Sequence, residues 1–288
     1  MLAGAIFPQL EIGNDPQVIR DYAQTAEGLG YNHILAYDHV LGAGTANRPG
    51  WNRYTDKDPF HEPFVLFGYM AGFTRRIQFT TGVIVLPQRQ TALVAKQATE
   101  VDVLSGGRMR LGVGVGWNQV EYEALGQDFH TRGKRIEEQI RLLRQLFSQE
   151  LVTFEGRWDQ VHEAGINPLP LRRMIPIWIG GTADVVLDRV AALGDGWFPQ
   201  MRPEPEGRAA VEKLRAAARA LGRDPATIGI EARFSYTGHN LDELVPLARA
   251  WQDIGATHIG LNTMGAGLGS PAEHIAMLGR LKEQLDNV

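Results

Sequence analysis

Short β-like runs alternate with longer amphipathic stretches from one end of this 288-residue chain to the other. Strand-period and helix-period segments in strict succession are the mark of strand–helix units, because parallel strands need a crossover between them. The first unit is "LAGAIF" followed by "NDPQVIRDYAQTAEGLG". There Asp15 is placed to cap, Pro16 suits the first helical position, and Gly28 or Gly30 can end the helix. Val18, Ile19, Tyr22, Ala23, Ala26 and Leu29 fall on one face. Seven more strands are predicted at "HILAY", "IQFTTGVIVL", "RMRLGVGV", "IPIWIG", "DGWFP", "IGIEARF" and "THIGLN". Helices are predicted near 62–73, at "TALVAKQATEVDVLS", "KRIEEQIRLLRQLF", "ADVVLDRVAALG", "PEGRAAVEKLRAAARALG" and "DELVPLARAWQDIG", and in a last segment opened by "SPAE". In that segment Ser270 and Glu273 form a capping-box pattern. An open doubly wound sheet usually needs about five or six strands, whereas eight strand–helix units close a (β/α)8 TIM-type barrel. The expectation is one such domain over 1–288, with a small hairpin insertion at about 151–172, before strand five, where aromatic and turn residues break the rhythm.

Composition bounds the function. A formal net charge of -4, with acids and bases interspersed, supplies no basic field for nucleic acid. The absence of cysteine removes disulfides, thiolate nucleophiles and Cys-ligated zinc together. The N-terminal apolar run is ended by Pro8 and Glu11 and does not read as a signal peptide. No run approaches the roughly 20 apolar residues of a membrane span. A soluble, cytoplasmic protein with a small-molecule substrate and no metal is the expectation. The eight histidines show no H-x-H or H-E-x-x-H spacing, and no G-x-S-x-G elbow occurs.

The stretch "LGVGVGWNQVEYEALG", 111–126, carries Gly112, Gly114 and Gly116 at alternate positions. A dinucleotide fingerprint needs G-x-G-x-x-G in the first βα turn, but Trp117 holds the third glycine's place and the unit is the fourth. In a barrel these glycines fall at the C-terminal end of strand four, the face where active sites form, and let a flat ring or phosphate approach the main chain. Glycines there can also relieve crowding inside the barrel, and Asn118 with Glu121 can be an ordinary helix cap. Three at once favour the ligand.

"YDHV" after strand two, "TTGVIVLPQRQ" at strand three, "DVLSGGRMRLGVGVGWNQVEYEALG" across strand four and "IPIWIGGTAD" at strand five follow one another in order. Together they resemble the bacterial luciferase-like superfamily, and most of all its branch that uses the deazaflavin coenzyme F420. The similarity covers nearly the whole chain. It implies an F420-dependent oxidoreductase that moves a hydride between the deazaflavin and an organic substrate. It leaves room for an FMN-dependent monooxygenase fed by a separate reductase, or a flavin-binding protein without turnover. A homodimer through helices near the first units is also implied.

The resemblance places His39 beside the redox ring, where an imidazole can pass a proton during hydride transfer. Asp38 could orient it or cap the following turn. A non-prolyl cis peptide within Gly82, Val83 and Ile84 is expected to face the central ring. Gly114, Gly116 and Asn118 would surround the cofactor. Gly180, Gly181 and Thr182 of "IGGTAD" form the best phosphate cradle, since the glycines free N–H groups at a helix start and Thr182 can cap and bind an oxygen. Arg89 and Gln90 could assist with a phosphate or polyglutamate tail. Sugar-phosphate-oxidising members carry an acid where this chain has Trp117, which points instead to an apolar or aromatic substrate or a ring stacked on the cofactor. Trp51 and Tyr54, in a 41–60 loop long enough to be a lid, and Phe198 at strand six point the same way.

Overall fold

A computed structural model describes residues 1–286. Its strands run β1 (Leu2–Ile6), β2 (His33–Ala36), β3 (Gln78–Thr81), β4 (Ile84–Val85), β5 (Met109–Gly114), β6 (Val152–Glu155), β7 (Gln160–Ala164), β8 (Ile177–Gly180), β9 (Gly196–Phe198), β10 (Gly229–Ser235) and β11 (His258–Asn262). The large sheet has the order β3-β2-β1-β11-β10-β9-β8-β5-β4, parallel throughout, and β3 also pairs with β5. That last pairing closes the eight-stranded barrel. The third barrel strand, expected as one run, is broken. β3 pairs with the lower half of β5 through Phe79 and Met109, and β4 takes over above through Ile84 and Val113.

The helices are α1 (Pro16–Gly28), α2 (Pro63–Ala71), α3 (Thr91–Ser105), α4 (Gln119–Ala124), α5 (Arg132–Ser148), α6 (Asp184–Leu193), α7 (Arg208–Ala220), α8 (Leu244–Asp253) and α9 (Pro271–Leu285). Eight of them are the expected crossovers, and α4 is an extra turn after the glycines. Local chemistry sets their ends: Asp15 accepts from Gln17 N at 2.9 Å, and Ser270 accepts from Glu273 N. Glu273 reaches back to Gly269 N, so the capping box closes one residue earlier than its usual form. The insertion is the antiparallel hairpin β6–β7, between α5 and β8. Among the described residues no helix is long and apolar enough to cross a membrane.

Strand alternation divides the core in two. Outward residues such as Ile34, Phe79, Leu111, Val113 and Ile179 are fully or almost fully buried under the helices. Each such side chain contributes about 1.5–3 kcal/mol by leaving water. The barrel interior is filled instead by a few large inward groups facing glycines. A Cβ on Gly4 would lie 2.0 Å from the His33 ring, and one on Gly196 would lie 2.2 Å from Trp178. Because all eight strands run the same way, the segments that leave them gather at one mouth.

Candidate active site at the barrel mouth

An open cleft of about 480 Å³ lies across the C-terminal ends of β2, β4, β5 and β8. Its walls include His39, Tyr54, Val83, Val85, Trp117 and Glu121, with main chain at Gly114, Gly116, Gly180 and Gly181. His39 and Gly114 therefore border the same space. A small, deeper hollow of about 40 Å³ adjoins it, lined by Ile6, Leu35, Phe198, Glu231 and Gly260, and the two share Tyr37, Gly82, Val83, Gln200 and Arg233.

His39 is held by a residue that the sequence reading treated only as a cap partner. Its Nδ1 lies 3.1 Å from Glu121 Oε2, while Glu121 Oε1 accepts from Val40 N at 2.8 Å and Leu41 N at 3.1 Å. Burial alone raises the Glu121 carboxyl. The hydrogen bond and charge of His39, with the Leu41 and Val40 N–H groups, outweigh burial and hold it below the usual carboxylate range. An ionised carboxylate can only accept, so Nδ1 carries the proton and Nε2 is left for the cleft. The ring is fixed edge-on by Phe60 at 4.8 Å, Tyr54 at 5.1 Å and Trp117 at 5.6 Å.

Asp38 does not orient His39. Its carboxylate, almost wholly buried, accepts from Val85 N at 3.1 Å and pairs with Arg89 Nη2 at 2.8 Å. Arg89 also meets Glu62 at 3.2 Å, so that guanidinium is neutralised by protein carboxylates and has little charge left for a phosphate tail. The non-prolyl cis peptide is the Gly82–Val83 bond. Val83 and Val85 line the cleft, whereas Ile84 points the other way and is fully buried in the outer core.

Packing constrains the glycines. A Cβ on Gly114 would sit 2.6 Å from Val83 Cγ2, one on Gly180 3.1 Å from Val83 Cγ1, and one on Gly116 2.6 Å from Val85 Cγ1. The two valines lean across the mouth into space that side chains on β5 and β8 would fill. Close packing against the two valines is thus one demand on these positions, and Gly114, Gly116, Gly180 and Gly181 also border the cleft where the spacing points to a ligand.

Asn118 is a helix cap: it accepts from Val120 N at 3.1 Å, donates to Leu41 O at 3.4 Å, and is buried away from the cleft. Thr182 does not cap α6. The helix begins one residue later than expected, Ala183 holds the cap position, and no side chain caps the first turn. Val186 N bonds to Ala183 O instead, which closes the turn without Thr182. Of the expected substrate walls, Tyr54 and Trp117 line the cleft and Phe198 the deeper hollow. Trp51 stands behind, its ring 5.7 Å from Trp117 and its indole N–H donating to Tyr54 O at 3.0 Å.

The sequence profile of the family described as luciferase-like monooxygenase matches residues 2–284. An uncharacterised protein of Mycobacterium tuberculosis is 38% identical over 182 residues, 61% of this chain and 62% of that protein. The F420-dependent hydroxymycolic acid dehydrogenase of the same species is 29% identical over 214 residues, 73% of this chain and 56% of its own. The FMNH2-dependent dimethylsulfone monooxygenase of Pseudomonas putida is 28% identical over 218 residues, 74% and 56%. The matched region thus spans less than two thirds of each relative's length. An F420-dependent secondary alcohol dehydrogenase, solved with an F420-acetone adduct, shares the fold at a TM-score of 0.81 with 15% identity, over 99% of this chain and 98% of that one. With a profile matched along nearly its full length and a barrel whose strand ends converge on one cleft, this chain belongs to the luciferase-like monooxygenase family.

Proposed function

We propose that the protein is an F420-dependent oxidoreductase that moves a hydride between the deazaflavin and an organic substrate with an apolar or aromatic part. The observation that carries this reading is the His39–Glu121 pair at the mouth: a buried carboxylate fixes the imidazole's tautomer and leaves Nε2 open to the cleft. That arrangement suits a residue that gives or takes a proton as a hydride moves, a role worth about 10²–10⁴-fold in rate. The planar ring of the deazaflavin would lie in the cleft, where Val83, Val85 and Val115 supply an apolar wall. Once bound, the deazaflavin supplies a carbon centre that exchanges hydride. His39 would hold the proton at Nε2, and Glu121 would keep the ring aimed. The main chain at Gly180 and Gly181, beside the uncapped start of α6, would receive the phosphate end. Tyr54, Phe60 and Trp117 would exclude water from the reacting face.

An FMN-dependent monooxygenase is the second reading, favoured by the likeness to the FMNH2-dependent relative. Parallel fluorescence titrations of the purified protein with F420 and with FMN separate the two. Tighter binding of F420 is expected; tight binding of FMN with none of F420 would reverse the order.

A further inference from the structure

On β10 the inward positions are Glu231, Arg233 and Ser235. Glu231 is deep in the barrel, and both of its oxygens are engaged: Oε2 with Arg110 Nη2 and Oε1 with His33 Nε2, each at 2.7 Å. Arg233 stands one layer higher, where strand alternation aims it into the mouth and not toward the outer helices. It lines both the cleft and the hollow. Its hydrogen bond is to the Tyr37 phenol at 3.4 Å, and among the described residues it pairs with no carboxylate.

The other acids around the mouth make their bonds elsewhere and not to Arg233. Asp38 belongs to Arg89, Glu121 to His39 and two backbone N–H groups, Glu11 accepts from Gly265 N, and Asp58 accepts from the Thr55 N–H and hydroxyl. Arg53, a second cation of the cleft wall, lies over the Trp117 ring at 5.5 Å and also lacks a carboxylate partner among the described residues. These acids keep their charge, but none of them is paired with Arg233 or Arg53, so two guanidiniums at the mouth are free to meet an anion. Directly beside Arg233 is the hollow, whose side walls are Ile6, Leu35, Val83 and Phe198 and whose floor includes Glu231, a carboxylate already held by Arg110 and His33. A guanidinium beside apolar walls matches an organic anion with an apolar body: charge-assisted, bidentate hydrogen bonds at one end and area burial at the other.

We propose that the substrate is an organic carboxylate whose acid group is held by Arg233 with Tyr37 while its apolar part packs against the wall formed by Val83 and Phe198. The inference rests on the oxidoreductase reading above and narrows its substrate class. Since the hollow and the cleft share Gly82 and Val83, a molecule seated there borders the space that His39 faces.

Calorimetric titration of the protein, with and without F420, against 4-phenylbutyrate and its uncharged twin 4-phenylbutyramide tests the assignment. The acid is expected to bind at least about tenfold tighter than the amide. Arg233→Met should bring the pair within about twofold, and Arg233→Lys should keep an intermediate preference. F420 affinity should stay within about twofold, with an unchanged melting temperature showing that the variants fold. Equal binding of acid and amide, binding of neither, or a preference that survives Arg233→Met overturns the proposal. Loss of F420 affinity in Arg233→Met also overturns it, because the guanidinium would then serve the cofactor's own anion. Failure of the wild-type protein to bind F420 or FMN removes the oxidoreductase reading instead, and the acid-to-amide ratio on the cofactor-free protein still reads Arg233.

Discussion

Replacing His39 with Ala should lower turnover by about 10²–10⁴-fold while F420 affinity changes less than about threefold, because a proton-transfer role acts on the reaction and not on ground-state binding. Glu121→Gln keeps the shape and an oxygen for the Val40 and Leu41 N–H groups but loses the charge that sets the His39 tautomer. We expect about a tenfold loss in kcat with KM nearly constant, and a stability cost of about 1.5–3 kcal/mol for a hydrogen bond to a charged group. Steady-state kinetics with urea unfolding separates these effects, and an unchanged kcat would remove Glu121 as the positioning residue. His39 was legible because it follows a strand in a motif. Glu121 was not, since Asn118 and Glu121 three residues apart read as a cap pattern, and only Asn118 fills that role. The carboxylate is instead turned toward the loop after β2, a contact 82 positions distant in sequence that no local pattern encodes.

Between elements, the clearest dependence is that of β5 and β8 on the β3–β4 turn. Gly114→Ala would put a Cβ 2.6 Å from Val83 Cγ2. Overpacking of this kind costs about 1–3 kcal/mol. Val83→Ala in the same chain should return much of that cost, giving a favourable coupling in a double-mutant cycle read by urea unfolding. Additive losses would mean that Val83 is not what the glycine accommodates. Sequence periodicity found the eight strand–helix units, the hairpin of the insertion and the α3 boundaries, Thr91–Ser105, because each has a long apolar repeat or a flanking turn signal. It missed the break in strand three, since "IQFTT" before Gly82 and "VIVL" after it are both rich in β-branched strand formers, and it could not tell which partner fills the space above a glycine.

Across the whole barrel, one buried polar cluster ties four strands together: His33 of β2, Arg110 of β5, Glu231 of β10 and His258 of β11. Arg110 Nε also donates to Thr80 Oγ1 at 2.9 Å, and the guanidinium stacks on Trp178 at 4.3 Å. These charges were present in the sequence as inward positions of strand-like runs, but which of them meet across the axis depends on barrel register. Burial raises Glu231, yet His33 and Arg110 outweigh it and draw it down to about 2. His258 is drawn down to about 3, mainly by burial and then by Arg110, and His33 is lowered mainly by burial. All three groups bind protons more tightly in the unfolded chain, so each adds stability at high pH and loses it as pH falls. For His258 the loss runs from the ordinary 6.5 toward about 3, and for Glu231 from 4.5 toward about 2. Urea midpoints should therefore fall from about pH 7 to about pH 4 and more steeply below. Glu231→Gln should cost about 3–5 kcal/mol at neutral pH by leaving Arg110 unpaired, and should flatten the steepest acid limb. Removing both charges with Arg110→Met and Glu231→Leu should restore much of that stability, since an apolar pair avoids the desolvation that the ions bear. A wild-type midpoint that stays level from pH 7 to pH 4 would show that the cluster does not set the molecule's acid tolerance.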